Sequence, residues 1–219
     1  MIPDLNFGWT STVGEVVLGA TRAEGGTRSR TYRIGGGTTL PFMEKNSPSP
    51  LIAFEICDDP KSWSPIVNEF CGDLVHDPGA WAKAAETTYG ADLVRLCLTS
   101  TRQREFSDVP ALGKTVETVL ASTTLPLIIE GSNEPKIDSE VFQKCGETGQ
   151  GERMLLGTAE AGRYRSIAAA ALAYNHAIIA QSPIDINLAK QLNILLSEIG
   201  VPKDHIVIDP YTGALGYGF

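Results

Sequence analysis

Six short apolar runs in this sequence are each followed by small polar side chains, and those groups are the ones best placed to do chemistry. In chain order they are Asp58-Asp59, Thr99-Ser100-Thr101, Gly131-Ser132-Asn133-Glu134, Thr158-Ala159-Glu160, Ser182-Pro183-Ile184-Asp185-Ile186-Asn187 and Asp209-Pro210-Tyr211-Thr212-Gly213. The set holds hydroxyls, amides and carboxylates but no His, Cys or Lys. An imidazole acid–base, a catalytic triad and a His-bearing metal site each need a side chain absent from it. His176 and His205 open their apolar runs and His76 precedes a helix cap at Asp77, so all three lie away from these groups. Lys45, Lys61, Lys83, Lys114, Lys136, Lys144, Lys190 and Lys203 fall in loops or helices, which disfavours a strand-borne Schiff base. A carboxylate-only metal site from Asp58, Asp185 and Asp209 stays open, although Asp residues at strand ends often cap the next helix. Asp185 fits such a cap best. Asp209, followed by Pro210, has no capping role to explain it and ranks first as a ligand contact. The remaining reading is a hydrogen-bonding cup for a large neutral or amide-rich ligand, a binding surface rather than a catalytic centre.

The elements that must position this cup are β-α repeats. The apolar runs are Ile52 to Cys57, Asp92 to Leu98, Leu127 to Ile129, Arg153 to Leu156, His176 to Ala180 and His205 to Ile208, and runs of this length read as strands buried on both faces of a parallel sheet. Helix signals fill the intervals. Asp77-Pro78 opens a helix that Gly90 closes, and Asp108 precedes Val109, Leu112, Val116, Val119 and Leu120 at helical spacing. A short helix is expected from about Asp138 to Cys145, another over 164–174, and a last from about Asp185 to Ile199 with Leu188, Leu192, Leu195 and Ile199 inward.

Alternating units of this kind build either a closed barrel or an open doubly wound sheet. The nucleotide fingerprints of the open sheet are missing: Gly157 and Gly162 have the P-loop spacing, but Arg163-Tyr164 stands where Lys-Ser/Thr is required. The expectation is therefore an α/β protein of TIM (β/α)8 type with about six βα units. Residues 1–50 read as an N-terminal hairpin extension, Glu15 to Ala20 against Arg30 to Ile34, with a Gly/Pro/Ser-rich connector; residues 51–219 read as an incomplete barrel. A full barrel takes about 250 residues, so the sequence is expected to be truncated at its C-terminus by roughly 80 to 100 residues.

Composition narrows the partners. The 219 residues carry 18 Lys+Arg against 26 Asp+Glu, a net charge of −8 that repels nucleic acid and anionic membrane surfaces. Arg22, Arg28, Arg30 and Arg33 form a local basic stretch, read here as a solvated hairpin in preference to an anion site. Cys57, Cys71, Cys97 and Cys145 are too far apart for C-x-x-C cluster or zinc motifs, so they read as reduced thiols, with Cys57 and Cys97 acting as small hydrophobes. There is no membrane-length apolar run and no leader pattern, and a cytoplasmic location is expected.

Several tracts taken together resemble one family. They are Val16-Val17-Leu18-Gly19-Ala20-Thr21, Gly25-Gly26-Thr27-Arg28-Ser29, Leu40-Pro41-Phe42, Asp77-Pro78-Gly79-Ala80-Trp81-Ala82, Tyr89-Gly90-Ala91-Asp92-Leu93, the Ser182 to Asn187 tract, Lys190-Gln191-Leu192-Asn193-Ile194-Leu195, and Ile208-Asp209-Pro210 running on to Gly218. In this order, over nearly the whole chain, they resemble the small (delta) subunit of the corrinoid iron–sulfur protein of the acetyl-CoA synthase/CO dehydrogenase (Wood–Ljungdahl) pathway, bacterial type. The resemblance implies a TIM barrel paired with a large (gamma) subunit that carries the iron–sulfur cluster and a corrinoid (cobalamin) domain, the corrinoid lying at the interface. It implies that a methyl group passes from methyltetrahydrofolate, through a separate methyltransferase, to acetyl-CoA synthase/CO dehydrogenase. On this reading Thr99, Ser100, Asn133, Asp185, Asn187, Asp209, Thr212 and Gly213 line the corrinoid-facing cup, with no catalytic residue and no metal ligand in this chain. Cys71 and the other thiols do not have cluster spacing, which agrees with a cluster in the partner. The Ile208-Asp209-Pro210 ending is also similar to pterin-binding methyltransferases, so the alternative is a barrel that itself moves the methyl group from the folate to a corrinoid.

Overall fold

A computed structural model describes residues 12–37, 49–102, 106–132 and 134–211. Two strands, β1 (Glu15–Leu18) and β2 (Tyr32–Gly35), pair antiparallel with Val16 opposite Ile34. Then follow β3 (Ala53–Cys57), α1 (Pro65–Cys71), α2 (Pro78–Thr87), β4 (Leu93–Cys97), α3 (Val109–Ser122), β5 (Leu127–Glu130) and α4 (Pro135–Thr148). The chain continues through β6 (Leu155–Ala159), α5 (Tyr164–Tyr174), β7 (Ala177–Gln181), α6 (Ile186–Glu198) and β8 (Ile206–Asp209). Strands β3 to β8 form one parallel sheet in strict sequence order. A doubly wound sheet reverses its order at a switch point; this one never does, and it is the wall of a (β/α)8-type barrel.

Local chemistry explains the helices. Asp77, Asp108 and Asp185 accept backbone N–H groups of Ala80 (3.0 Å), Ala111 (3.1 Å) and Asn187 (2.8 Å), each satisfying a donor that the first turn would leave orphaned. Ser64 caps α1 in the same way with Pro65 at the first position, a helix that apolar periodicity does not announce because Ile66 and Phe70 stay exposed. Helix α4 starts three residues earlier than its apolar spacing suggests, since Pro135 takes the first position. Helix α6 buries Ala189, Leu192 and Leu196, whereas Leu188 and Ile199 are exposed; the inward stripe is rotated from the leucine-based expectation.

The sheet has two unlike faces. On the helix side Ile56, Val94, Leu96, Ile129, Leu156 and Ile178 pack under Trp81, Val116, Phe142, Ile167 and Leu192. On the lumen side Leu93, Ile128, Leu155 and Ala177 meet Val16 and Leu18 of the hairpin, which plugs the N-terminal end of the barrel. Burying each of those two hairpin side chains contributes about 1.5–3 kcal/mol. Arg28 completes the seal, and the solvated reading of that arginine is overturned: it is buried beneath the hairpin and bonded to Glu152 at 2.7 Å. Burial on both faces also fails for β3, β4 and β5, where Glu55 and Arg95 at mid-strand and Glu130 at the strand end occupy lumen positions, and for β8, whose Ile208 is exposed.

Candidate functional site

The C-terminal ends of β3 and β4 are tied together by one carboxylate. Asp58 Oδ1 accepts the Thr99 hydroxyl and the Ser100 backbone N–H, both at 3.0 Å, and its Oδ2 accepts the Ser100 hydroxyl. Thr99 also lies 2.8 Å from the Asp59 carbonyl and accepts the Asp59 N–H at 3.2 Å. At the end of β5, Ser132 donates from both its N–H and its hydroxyl to Asp138 Oδ1 at 2.8 Å. A Cβ on Gly131 would stand 2.5 Å from that same oxygen, so this turn needs a glycine.

At the far side, Asp209 is not free of structural duty as its sequence context suggests. Its Oδ1 accepts the Tyr211 N–H at 2.8 Å and its Oδ2 accepts the Gln181 side-chain amide at 3.0 Å. Asp185 caps α6 through Asn187 and Leu188, and Asn187 is exposed in that first turn. Ser182 is buried, and its hydroxyl has no hydrogen-bond partner among the described residues. Asn133, Thr212 and Gly213 lie outside the described residues. The structure thus brings Thr99 and Ser100 together around Asp58 and sets Asp185, Asn187 and Asp209 on the β7 to β8 side. The three carboxylates Asp58, Asp185 and Asp209 are spent separately. Among the described residues no group of three or more His, Cys, Asp or Glu could hold a metal ion.

Below this rim lies a charged cluster that apolar-run reading passes over. Glu55 and Arg95 are register partners on β3 and β4, and Cys97 is opposite Glu130 on β4 and β5. The Arg95 guanidinium donates from Nη1 to Glu55 and from Nη2 to Glu130, which bridges three strands. Arg102, in the turn after β4, adds a longer bond to Glu130 at 3.4 Å. These side chains, with Trp63, Ser64, Cys97 and Thr99, line a cavity of about 350 Å³. Glu130 is 12% exposed and Arg95 38% exposed, so the cluster is open on its cavity side. The sequence signal was present: successive strand residues point to opposite faces, so a charge inside an otherwise apolar run must face a lumen or solvent.

The thiols beside the cavity are not reactive groups. Burial pushes Cys57 up to about 12 and Cys97 up to about 11, which keeps both protonated at neutral pH. His176 sits at the opposite, plugged end, where its Nδ1 accepts the Met154 N–H at 3.2 Å and its Nε2 lies 2.9 Å from the Gly146 carbonyl. Burial holds its pKa below the ordinary histidine value. The cavity can therefore offer paired donors and acceptors on rigid strands, and no described imidazole, lysine or thiolate for bond making.

The comparisons with known proteins agree with one another. The family model described as CO dehydrogenase/acetyl-CoA synthase delta subunit matches residues 15–219. The acetyl-CoA decarbonylase/synthase complex subunit delta of Archaeoglobus fulgidus is 39% identical over 213 residues, covering 94% of this chain and 47% of that protein. Its counterpart in Methanopyrus kandleri is 36% identical over 211 residues, covering 94% of this chain and 52% of that protein. The chain spans about half the length of the curated relatives it matches. Among solved structures, a dihydropteroate synthase of Xanthomonas albilineans aligns with a TM-score of 0.51 at 19% identity, over 78% of this chain and 60% of that one. One from Burkholderia cenocepacia gives 0.52 at 16% identity, over 74% and 58%. That likeness is one of fold, the TIM barrel.

Proposed function

Since the chain belongs to the CO dehydrogenase/acetyl-CoA synthase delta-subunit family, we propose that its barrel face covers a corrinoid held by a larger, iron–sulfur-bearing gamma subunit. When bound, the corrinoid supplies the cobalt chemistry that carries a methyl group from methyltetrahydrofolate, through a methyltransferase, to acetyl-CoA synthase/CO dehydrogenase. This chain binds and orients. Thr99 and Ser100, with Asn133, Asp185, Asn187, Asp209, Thr212 and Gly213, form the rim that meets the ligand, and the strand-borne groups beneath hold their positions before it arrives. The working place of such a soluble carrier is the cytoplasm; no helix among the described residues is long and apolar enough to cross a membrane.

The observation that supports this reading is the composition of the barrel's C-terminal end. It presents hydroxyls, carboxylates and guanidiniums around a cavity of about 350 Å³, and its thiols are held protonated. Such groups suit the amide side chains of a corrin periphery through hydrogen bonds rather than charge. The test is to isolate the protein from its native source and assay it with and without its partners. Co-purification with a larger iron–sulfur chain and a corrinoid, and no methyl transfer by this chain alone, is the expected outcome. Methylation of free cob(I)alamin from methyltetrahydrofolate by the isolated chain would replace the reading with that of a pterin-binding enzyme.

A further inference from the structure

The rim hydroxyls are largely consumed by the protein itself. Thr99 and Ser100 are bonded to Asp58, Ser132 to Asp138, and Asp209 to Gln181 and Tyr211. The lumen cluster is likewise bonded within itself, but its charged groups border a cavity large enough for a small polar substituent. Its two carboxylates and two guanidiniums sum to zero formal charge, so it holds neither an anion nor a cation by net attraction. What it offers is an acceptor beside a donor: carboxylate oxygens of Glu55 and Glu130 next to N–H groups of Arg95 and Arg102.

A primary carboxamide is the neutral group with the complementary edge, a carbonyl that accepts and an NH2 that donates. Resting on the proposed corrinoid-covering role, we propose that the Glu55–Arg95–Glu130–Arg102 cavity is a receptor for a primary carboxamide, taking one side-chain amide of the corrin into the lumen. Barrel lumens at this depth are ordinarily filled by branched apolar side chains. Replacing a partly buried ion cluster by apolar residues is commonly neutral or stabilising, so stability alone does not account for charges on three adjacent strands. The arrangement is also preorganised: Glu55, Arg95 and Glu130 sit on strands joined in register, and Leu93, Ile128 and Leu155 form an apolar floor below them that stops a ligand going deeper. Arg102, in the turn after β4 and the most exposed member of the cluster, contributes a further donor.

The test uses the full chain with labelled arginine side-chain nitrogens, followed by NMR. Three probes are titrated: dicyanocobinamide, whose side chains are amides; a corrin heptamethyl ester, which has no N–H donors; and propionamide. The expected result is a shift of the Arg95 Nε–H signal with dicyanocobinamide and with propionamide, and none with the ester. Affinity for dicyanocobinamide should fall about ten-fold or more in Glu130→Gln, as the loss of a hydrogen bond to a charged group predicts. Arg102→Leu, at a half-exposed position whose change spares the fold, should lower it in the same direction. Equal affinity for the amide and ester corrins, unmoved by either substitution, overturns the receptor and leaves the covering role intact. A shift with propionamide but no binding of any corrin keeps the receptor and overturns the corrinoid as its ligand. Silence with all three overturns the receptor, while the covering role stands or falls on the co-purification.

Discussion

Two arginine–carboxylate clusters stand at opposite ends of this barrel, and their surroundings give them different jobs. At the plugged end the Arg28 side chain is 1% exposed and spends every donor: Nε on Glu152 at 2.7 Å, Nη1 on the carbonyls of Thr123 and Leu125, and Nη2 on the Leu120 carbonyl and the Thr27 hydroxyl. Glu152 in turn accepts the N–H and hydroxyl of Thr27. The guanidinium is enclosed and has no donor left for a ligand, so the network fastens the hairpin to the barrel. At the open end Arg95 also bridges to carboxylates, yet it is 38% exposed and looks into a cavity. The same pair of side chains is a staple where carbonyls surround it and a receptor where space does.

Breaking the staple should give the largest effect. Arg28→Met leaves Glu152 buried without its cation and frees three backbone carbonyls, which should cost about 3–5 kcal/mol in a urea unfolding curve. Arg28→Lys should restore little of this, because an ammonium cannot reach acceptors laid out for a planar fork. A loss below about 1 kcal/mol would mean the hairpin is not fastened there. The open end should respond oppositely: the triple change Glu55→Gln, Arg95→Met, Glu130→Gln should alter stability by no more than about 1 kcal/mol in the same assay, since removing a partly exposed ion cluster as a whole leaves no buried charge unpaired. A large destabilisation would assign the lumen cluster to the fold rather than to a ligand.

Two smaller effects sharpen the contrast. His176, at the plugged end, is neutral when folded and its pKa is lowered by burial. Protons then bind the unfolded chain more readily, so stability is complete above the ordinary histidine value of about 6.5 and falls as the pH drops below it. His176→Gln should flatten that part of the stability–pH curve, and an unchanged slope would locate the titration elsewhere. At the open end, Cys57 and Cys97 should resist iodoacetamide at neutral pH in the folded protein, as should Cys145, pushed up to about 12 by burial. All should react once urea unfolds the chain. Rapid alkylation of Cys97 alone in the native state would show that the lumen cavity admits reagents and lowers its thiol pKa.

Much of this architecture is legible along the chain because its causes are local. Asp77-Pro78, Asp108 and Asp185 each cap a helix within three residues of themselves, and the six apolar runs coincide with six strands within a few residues. The placement of polar groups at the strand ends is legible for the same reason: residues that follow a strand lie at its C-terminal end wherever the strand goes. The bond from Gln181 to Asp209 is not legible in the sequence, because the two residues are 28 positions apart on neighbouring strands. The lumen cluster is not legible along the chain, because Glu55 and Arg95 look like interruptions in apolar runs until β3, β4 and β5 are set side by side.

Periodicity, caps and turn residues act over a few bonds, and they are enough to establish the alternation of strands and helices and the end of the barrel where polar groups collect. Which charges meet is a different matter. Arg28 and Glu152 are 124 positions apart, Arg95 and Glu55 40, Arg95 and Glu130 35. The interaction of two charged side chains weakens with their separation and with the dielectric of what surrounds them, and hydrogen bonds between them form only at contact. Those distances, and the carbonyls or open space around each guanidinium, came into being only when the strands had paired and the hairpin had docked.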